Sequence, residues 1–425
     1  MDALLFGLFI VLMVAGVPIA VSMGLAGSAA VMLGGLGMMA IPTSVYSGLA
    51  KYPLMAIPMF VIAGLIFERA GVAERIVRFA SACVGQRRGS LAIVAVLVAM
   101  ILGGISGSGP ADSAAVGAVM LPSMIRAGYP RPFAASVIAA AGSTDILIPP
   151  SIAFVLYSIL VPGASIPALF AAGMIPGILS GLTLIAVAWV LSVRHGFEAD
   201  ATEARPPFWR SLRDAFWGLL APVVILGGMR SGWFTPTEAA VAAVVYGVIV
   251  GMLIYRTLDL RKLVSVFAES AEISSIILLV VALAAVFAWA SSTLGTFDAL
   301  SRAMLSLGAS EWVMLIAIQL LLLIAGMFLD AISIFFIFLP LLVPVAQHYH
   351  WDLVWFGVII TMNIALGQFH PPLGVNLMVT SRMAGIPMES TVRWVIWLVL
   401  GMACTMFLVT FVPEIALWLP RRLGY

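Results

Sequence analysis

Apolar runs of about 17 to 25 residues recur along the whole of this 425-residue sequence, each ended by polar residues or by a glycine or proline break. Wound as a helix, such a run satisfies its own backbone hydrogen bonds and can span the hydrocarbon of a bilayer. Charged residues supply only 9% of the chain and hydrophobic ones 63%, too little polar surface to solvate a globular domain of this length. The sequence therefore predicts an all-α polytopic membrane protein surrounded by a lipid bilayer. Its 21 basic residues are scattered between apolar runs and form no basic face, so nothing supports nucleic-acid binding. The start Met1-Asp2-Ala3 lacks the basic region of a cleavable signal, and the first run is expected to be retained.

The runs place ten crossings, roughly at 3–17, 18–38, 53–68, 132–160, 166–193, 214–230, 236–255, 273–291, 354–382 and 390–412. Two further stretches, 90–126 and 311–347, are too long for one crossing and carry a break at their middle. They read as re-entrant helical hairpins, because irregular backbone at membrane depth must be buried in protein or line a cavity. Pro18 and Pro236, Asp112 and Asp330, and Pro122 and Pro340 are each 218 residues apart, and Pro149-Pro150 precedes Pro371-Pro372 by 222. The chain is thus expected to be a duplication. With five crossings per half, an odd number, the second copy is expected to sit inverted, the plan of secondary transporters. The first repeat is 1–193, with hairpin 90–126 and broken helix 132–160. A charged linker at 194–211 follows, and then a second repeat at 212–425, with hairpin 311–347 and broken helix 354–382. Sixteen of the 21 basic residues fall on one side of this arrangement, which predicts that side to be cytoplasmic and both termini periplasmic. Residues 70–86 read as an amphipathic helix lying at the cytoplasmic interface.

The first hairpin breaks within Gly103-Gly104-Ile105-Ser106-Gly107-Ser108-Gly109-Pro110-Ala111-Asp112-Ser113. Freed carbonyls and serine oxygens there are hard ligands for a small cation, while the amides of the next half-helix favour an anion. The fourth crossing breaks at Gly142-Ser143-Thr144-Asp145-Ile146-Leu147-Ile148-Pro149-Pro150-Ser151, where two prolines remove two donors. The second half answers with Gly326-Met327-Phe328-Leu329-Asp330 and with Gly367-Gln368-Phe369-His370-Pro371-Pro372-Leu373-Gly374-Val375-Asn376. Two quasi-equivalent cation sites are predicted, one per half. Asp112, Asp145 and Asp330 are the carboxylates at membrane depth. Asp112 and Asp330 read as caps of free amides, Glu238 as the cap of a helix begun by Thr235-Pro236, and Asp145 as a cation ligand or proton-linked group.

Lys51 and Lys262 are the only lysines and neither follows a phosphate-binding glycine loop, so no ATPase resides in this chain and transport would draw on an ion gradient. Cys83 and Cys404 have no neighbours at ligand spacing, so no metal centre, disulfide framework or cofactor is expected beyond coupling ions. A channel or stand-alone carrier is the competing reading. A remoter one is an intramembrane serine protease, from Gly104-Ile105-Ser106-Gly107 with His370 as base; otherwise the chain is not read as an enzyme.

Ile105-Ser106-Gly107-Ser108-Gly109-Pro110-Ala111-Asp112, Ile148-Pro149-Pro150-Ser151, Phe234-Thr235-Pro236-Thr237-Glu238-Ala239, Gly326-Met327-Phe328-Leu329-Asp330 and Pro371-Pro372-Leu373-Gly374-Val375-Asn376-Leu377 follow one another along the chain. Together they resemble the large membrane (M) subunit of tripartite ATP-independent periplasmic (TRAP) transporters. The resemblance implies a small four-helix membrane Q subunit and a soluble periplasmic substrate-binding protein (P subunit) as partners, in a bacterial inner membrane. It implies sodium-coupled uptake of a small organic anion, such as a C4-dicarboxylate, sialic acid or another sugar acid, by an elevator motion. Carried onto this sequence, one sodium site takes Ser106, Gly107, Gly109, Gly142 and Thr144, with Asp145 standing where the family commonly has a small residue. The other takes Gly326, Gly367, His370 and Leu373, with His370 standing where a threonine is common. Ser108, Asn376 and Thr380 are the expected substrate contacts, as uncharged donors beside half-helix ends. An imidazole at 370 predicts transport that is pH-sensitive between about pH 5 and 8.

Overall fold

A computed structural model of the chain describes residues 2–85, 87–197 and 206–425, and its regular elements there are all helices. Seven helices among these residues are long and apolar enough to cross a membrane. Six of them answer expected crossings: Tyr52–Arg69, Ile166–His195, Phe208–Arg230, Pro236–Ile254, Leu260–Thr293 and Met388–Phe411. The seventh, Ala331–His348, is the second arm of the second hairpin. The first two crossings are shorter than expected, Asp2–Val14 and Ile19–Leu33, because Gly16 turns at positive φ before Pro18, and Gly35 and Gly37 turn at positive φ after Leu33.

Both broken crossings are present. Arg131–Ser143 ends in a short 3-10 turn at Thr144–Ile146 and resumes as Ile152–Leu160; Leu353–Gly367 resumes as Val375–Ala384. Both Pro-Pro peptide bonds are cis. The hairpins are Ser90–Ser106 with Gly109–Arg126, and Glu311–Gly326 with Ala331–His348. The first break is narrower than the eleven-residue polar stretch suggests, since only Gly107 and Ser108 leave the helix.

Elsewhere the boundaries move. The expected crossing at 273–291 is the middle of the 34-residue helix Leu260–Thr293, about 51 Å long and longer than the hydrocarbon is thick. Its outer turns carry Glu269, paired with Arg69 at 2.7 Å, a charge that hides the helix from a hydropathy reading. Ala40–Leu49, Thr296–Ser306 and Glu414–Leu423 were not anticipated; their short lengths fall below any span criterion. The interfacial helix is Val72–Val84, with Val72, Ala73, Ile76 and Ala80 buried and Glu74 and Arg78 exposed; Gln86, in the stretch read as part of it, lies outside the described residues. Of the linker read at 194–211, residues 198–205, including Glu198, Asp200, Glu203 and Arg205, lie outside the described residues. On either side, Ile166–His195 runs into it and Phe208–Arg230 begins inside it.

Helix starts follow local chemistry. Thr235 and Glu238 form a reciprocal capping box, as the cap reading of Glu238 requires: Glu238 N–H donates to Thr235 Oγ1 at 3.3 Å and Thr235 N–H to Glu238 Oε2 at 2.8 Å. Asp330 accepts the Ile332 amide at 3.1 Å, and Asp352 accepts the amides of Val354 and Trp355.

The helices sort into two bodies. An outer body packs Leu260–Thr293 against Ile19–Leu33, Ala40–Leu49 and Ala56–Arg69, with Pro236–Ile249 and Phe208–Arg230 alongside. An inner body packs the first hairpin, both broken helices, Ile166–His195 and Val392–Phe411 together; of the second hairpin, Glu311–Gly326 lies against Leu353–Gly367, while Ala331–His348 lies against Ile152–Leu160 and also against Leu260–Thr293 of the outer body. Val72–Val84 bridges the two, touching Phe208–Arg230 on one side and Ser90–Ser106 on the other.

Candidate functional site

The first hairpin tip and the first broken helix meet without room for side chains. Gly107 turns at φ +62, and a β-carbon there would collide with the Pro150 carbonyl. A β-carbon on Gly103 would lie 2.6 Å from Asp145 Cα, and one on Gly142 would lie 2.9 Å from the Gly109 carbonyl oxygen. The structure thus sets Gly107 against Pro150, Gly103 against Asp145 and Gly142 against Gly109. Ser106 Oγ donates to the Asp112 carboxylate, so the hydroxyl that a protease would need as nucleophile is committed to a carboxylate. Asp112 thus braces the tip in addition to standing in the first turn of Gly109–Arg126.

Asp145 is fully buried, and its Oδ2 has no hydrogen-bond partner among the described residues. Its Oδ1 sits 3.4 Å from Thr144 Oγ1, whose proton is given at 2.7 Å to the Ala141 carbonyl. Asp112, buried as well, is its electrostatic neighbour, and among the described residues no lysine or arginine neutralises either carboxyl. Two adjacent buried carboxyl groups without a cation are an expensive arrangement to keep.

The second half closes the same tip from the other side. A β-carbon on Gly109 would collide with Gln368 Oε1 and lie 3.3 Å from Asn376 Nδ2. Asn376 is fully buried; its Nδ2 donates to the Ala139 carbonyl at 3.2 Å and to Gln368 Oε1 at 3.4 Å, while its Oδ1 is unpartnered among the described residues. Asn376 so ties the second broken helix to the first. Gln368 was not singled out from the sequence, although it is the one side-chain amide inside the Gly367–Gly374 break.

The second hairpin tip is simpler. A β-carbon on Gly367 would lie 2.8 Å from the Gly326 carbonyl oxygen, so these two backbones touch directly. Beneath them Asn363 is fully buried with neither amide atom partnered among the described residues, a polar group that sequence reading missed in an otherwise apolar helix. His370 Nδ1 is 2.5 Å from the Pro371 carbonyl, which can only accept, so Nδ1 carries the proton. Leu373 is 41% exposed, and its hydrocarbon side chain leaves only the backbone carbonyl as a ligand. Thr380 is buried and donates within its own helix to Leu377 at 3.3 Å.

Ser106, Ser108 and Asp112 also face outward, onto a cavity with about 630 Å³ of empty space between the two bodies. Gly64, Glu68, Ile273 and Ile277 form its far wall. Glu68 thus adds an acid that was not read as part of the site.

Residues 6–415 match the family described as "Tripartite ATP-independent periplasmic transporter, DctM component". The C4-dicarboxylate TRAP transporter large permease protein DctM of Rhodobacter capsulatus is 37% identical, covering 99% of each chain. The sialic acid TRAP transporter large permease protein SiaM of Vibrio cholerae is 35% identical over 89% of this chain and 88% of that one. The isethionate TRAP transporter permease protein DctMQ of Oleidesulfovibrio alaskensis is 34% identical over 97% of this chain but only 65% of its own. Among solved structures, the YdaH transporter of Alcanivorax borkumensis matches 88% of this chain and 89% of its own with a TM-score of 0.60 at 13% identity, a likeness of fold. On its sequence along nearly the whole length, this chain belongs to the DctM family of tripartite ATP-independent periplasmic transporters.

Proposed function

We propose that this chain is the large permease subunit of a sodium-driven importer of a small organic anion, working by an elevator motion in a bacterial inner membrane with both termini periplasmic. Its relatives are named for C4-dicarboxylates, sialic acid and 2,3-diketo-L-gulonate, all carrying carboxylates, and that chemistry supports the substrate class. A small membrane Q subunit and a periplasmic binding protein are the proposed partners; relatives named as a single permease protein DctMQ or SiaT, longer than this chain, are consistent with a Q-like portion fused to the permease. The two repeats, 1–193 and 212–425, are the proposed halves of the machine.

The observation that carries the reading is the convergence on Gly109, where a hairpin tip from the first repeat meets Gly142 of its own half and Gln368 and Asn376 of the other. Half-helix amides and neutral donors there suit an anion, with Ser108, Asn376 and Thr380 as its contacts. The unpartnered Asp145 oxygen beside Thr144, with Ser106, Gly107, Gly109 and Gly142, suits a small hard cation. Gly326, Gly367, His370 and Leu373 form the second proposed cation site. The cavity between the bodies, with Glu68 and Ile277 opposite the first tip, gives the inner body a face along which to slide.

The test is uptake of radiolabelled dicarboxylates and sugar acids into proteoliposomes holding this chain with its small partner and binding protein. Uptake is expected only with an inward sodium gradient and the binding protein together. Leakage without a gradient, or full uptake by this chain alone, would move the reading to a channel or a stand-alone carrier.

A further inference from the structure

Away from the transport site, four charged side chains converge on one open pocket without pairing. The pocket holds about 1110 Å³ of empty space where Val72–Val84, Phe208–Arg230 and the end of Pro236–Ile254 meet. Arg75 builds its floor: Nη1 donates to the carbonyls of Ala70 and Gly71 at 3.0 and 2.6 Å, and the guanidinium stacks 3.8 Å above the Tyr255 ring. Tyr255 is itself held, its hydroxyl donating to the Asp214 carbonyl at 2.8 Å. Over this rigid base, Arg78 and Arg213 come from two different helices, with Glu74 and Asp214 beside them. None of these four side chains forms a hydrogen bond or ion pair among the described residues. Opposite charges that line one pocket without pairing suit a ligand that carries both signs.

The surface leading away from the pocket says what carries those signs. Val241, Val245, Ile249 and Leu253 recur every fourth residue on one face of the adjoining helix, and all four are exposed. That stripe is about 18 Å long, close to the depth of one leaflet's hydrocarbon, and ends beside Ile254 in the pocket wall. We propose that the pocket binds the headgroup of a phospholipid bearing a phosphodiester and a primary ammonium, a phosphoethanolamine. Arg78 and Arg213 hold the phosphate, Glu74 and Asp214 accept from the ammonium, and the acyl chains lie along the valine–isoleucine–leucine stripe. The site fastens the bridging helix Val72–Val84 to the outer body.

The full chain, purified and delipidated in detergent, is titrated with phosphatidylethanolamine, phosphatidylglycerol or phosphatidylcholine, and bound lipid is read by native mass spectrometry. Phosphatidylethanolamine is expected to be retained about tenfold better than phosphatidylcholine, whose quaternary ammonium has no N–H to donate. R78Q/R213Q should lose retention of all three lipids. E74Q/D214N should keep phosphate binding and lose the preference for ethanolamine over glycerol, a readout that survives if the arginine variant folds poorly. R261Q, an exposed arginine outside the pocket, should behave as the parent. Equal retention of the three lipids, or an ethanolamine preference that persists in E74Q/D214N, would overturn the proposal. Competition by soluble O-phosphoethanolamine at matched concentration would overturn the lipid part of it.

Discussion

The hydroxyl of Thr405 donates to that of Thr183 at 2.9 Å, and the two residues are 222 positions apart, the spacing that also separates the two double prolines. The bond links the middle of Ile166–His195 to the middle of Val392–Phe411. Close approach is helped by Gly401, where a β-carbon would lie 2.9 Å from Val187 and 3.3 Å from Thr183. A hydrogen bond of this kind between membrane helices is worth about 0.6 kcal/mol, so its importance is in registration more than in stability. It joins two helices of the inner body, whereas that body meets the outer one through the packing of Ala331–His348 on Leu260–Thr293 and at Gly64, Glu68 and Pro222.

That division predicts which cross-links stop transport. In a background without Cys83 and Cys404, Thr183→Cys with Thr405→Cys joins two parts of one body and should leave uptake intact. Gly104→Cys with Pro222→Cys joins the hairpin to the outer body, and a β-carbon on Gly104 would lie 3.5 Å from Pro222 Cβ, within the range a disulfide needs. Oxidising this second pair should arrest uptake, and reductant should restore it. Uptake that continues with the second pair fully cross-linked would refute sliding between the bodies.

Asp145→Asn removes a carboxyl from a buried pair that no lysine or arginine among the described residues balances. Fold should be kept, because the amide is isosteric, while half-saturation by sodium should rise about tenfold or more if the carboxylate is a ligand. Uptake measured against sodium concentration decides it: coincident curves for parent and variant would make Asp145 a bystander, and a greater thermal stability of the variant would show that its charge is only a burden.

Most of the architecture was legible because apolar run length and glycine-proline breaks are local signals. Both hairpins, both broken helices and the Thr235–Glu238 cap could be read directly from residue order. What could not be read depends on long-range packing. Leu260–Thr293 outruns its hydropathy window because Glu269 finds Arg69 from a distant helix. Gln368 matters only because the fold carries it to Gly109, and Asn363 looks like any residue of an apolar helix until its amide is found buried and unpartnered. Ile105-Ser106-Gly107, by contrast, announces a break yet conceals that the helix runs on to Ser106.

Replacing His370 by threonine tests the second proposed cation site. With Nδ1–H given to the Pro371 carbonyl, the ring offers a cation only Nε2. A nitrogen ligand suits a small hard cation less well than a hydroxyl oxygen does. His370→Thr should therefore lower the sodium needed for half-saturation. Identical sodium curves in the two proteins would remove His370 from the site.

Gly109 gives the sharpest steric test, because its collision is with a side chain and not with backbone. Gly109→Ala places a methyl group against Gln368 Oε1, 3.0 Å from the Gly142 carbonyl and 3.3 Å from Asn376 Nδ2. The amide can retreat only by giving up its bond from Asn376, so uptake should fall by at least tenfold, with the protein still folded. Adding Gln368→Ala opens the space and should recover part of the loss. Gly107→Ala is the contrasting case: its methyl meets the Pro150 carbonyl, and positive φ adds about 1–2 kcal/mol of strain, so no side-chain change elsewhere should rescue it. If Gln368→Ala fails to rescue Gly109→Ala while leaving the parent active, the tip does not close against the second broken helix during transport, and the convergence of the two halves on Gly109 has no part in the cycle.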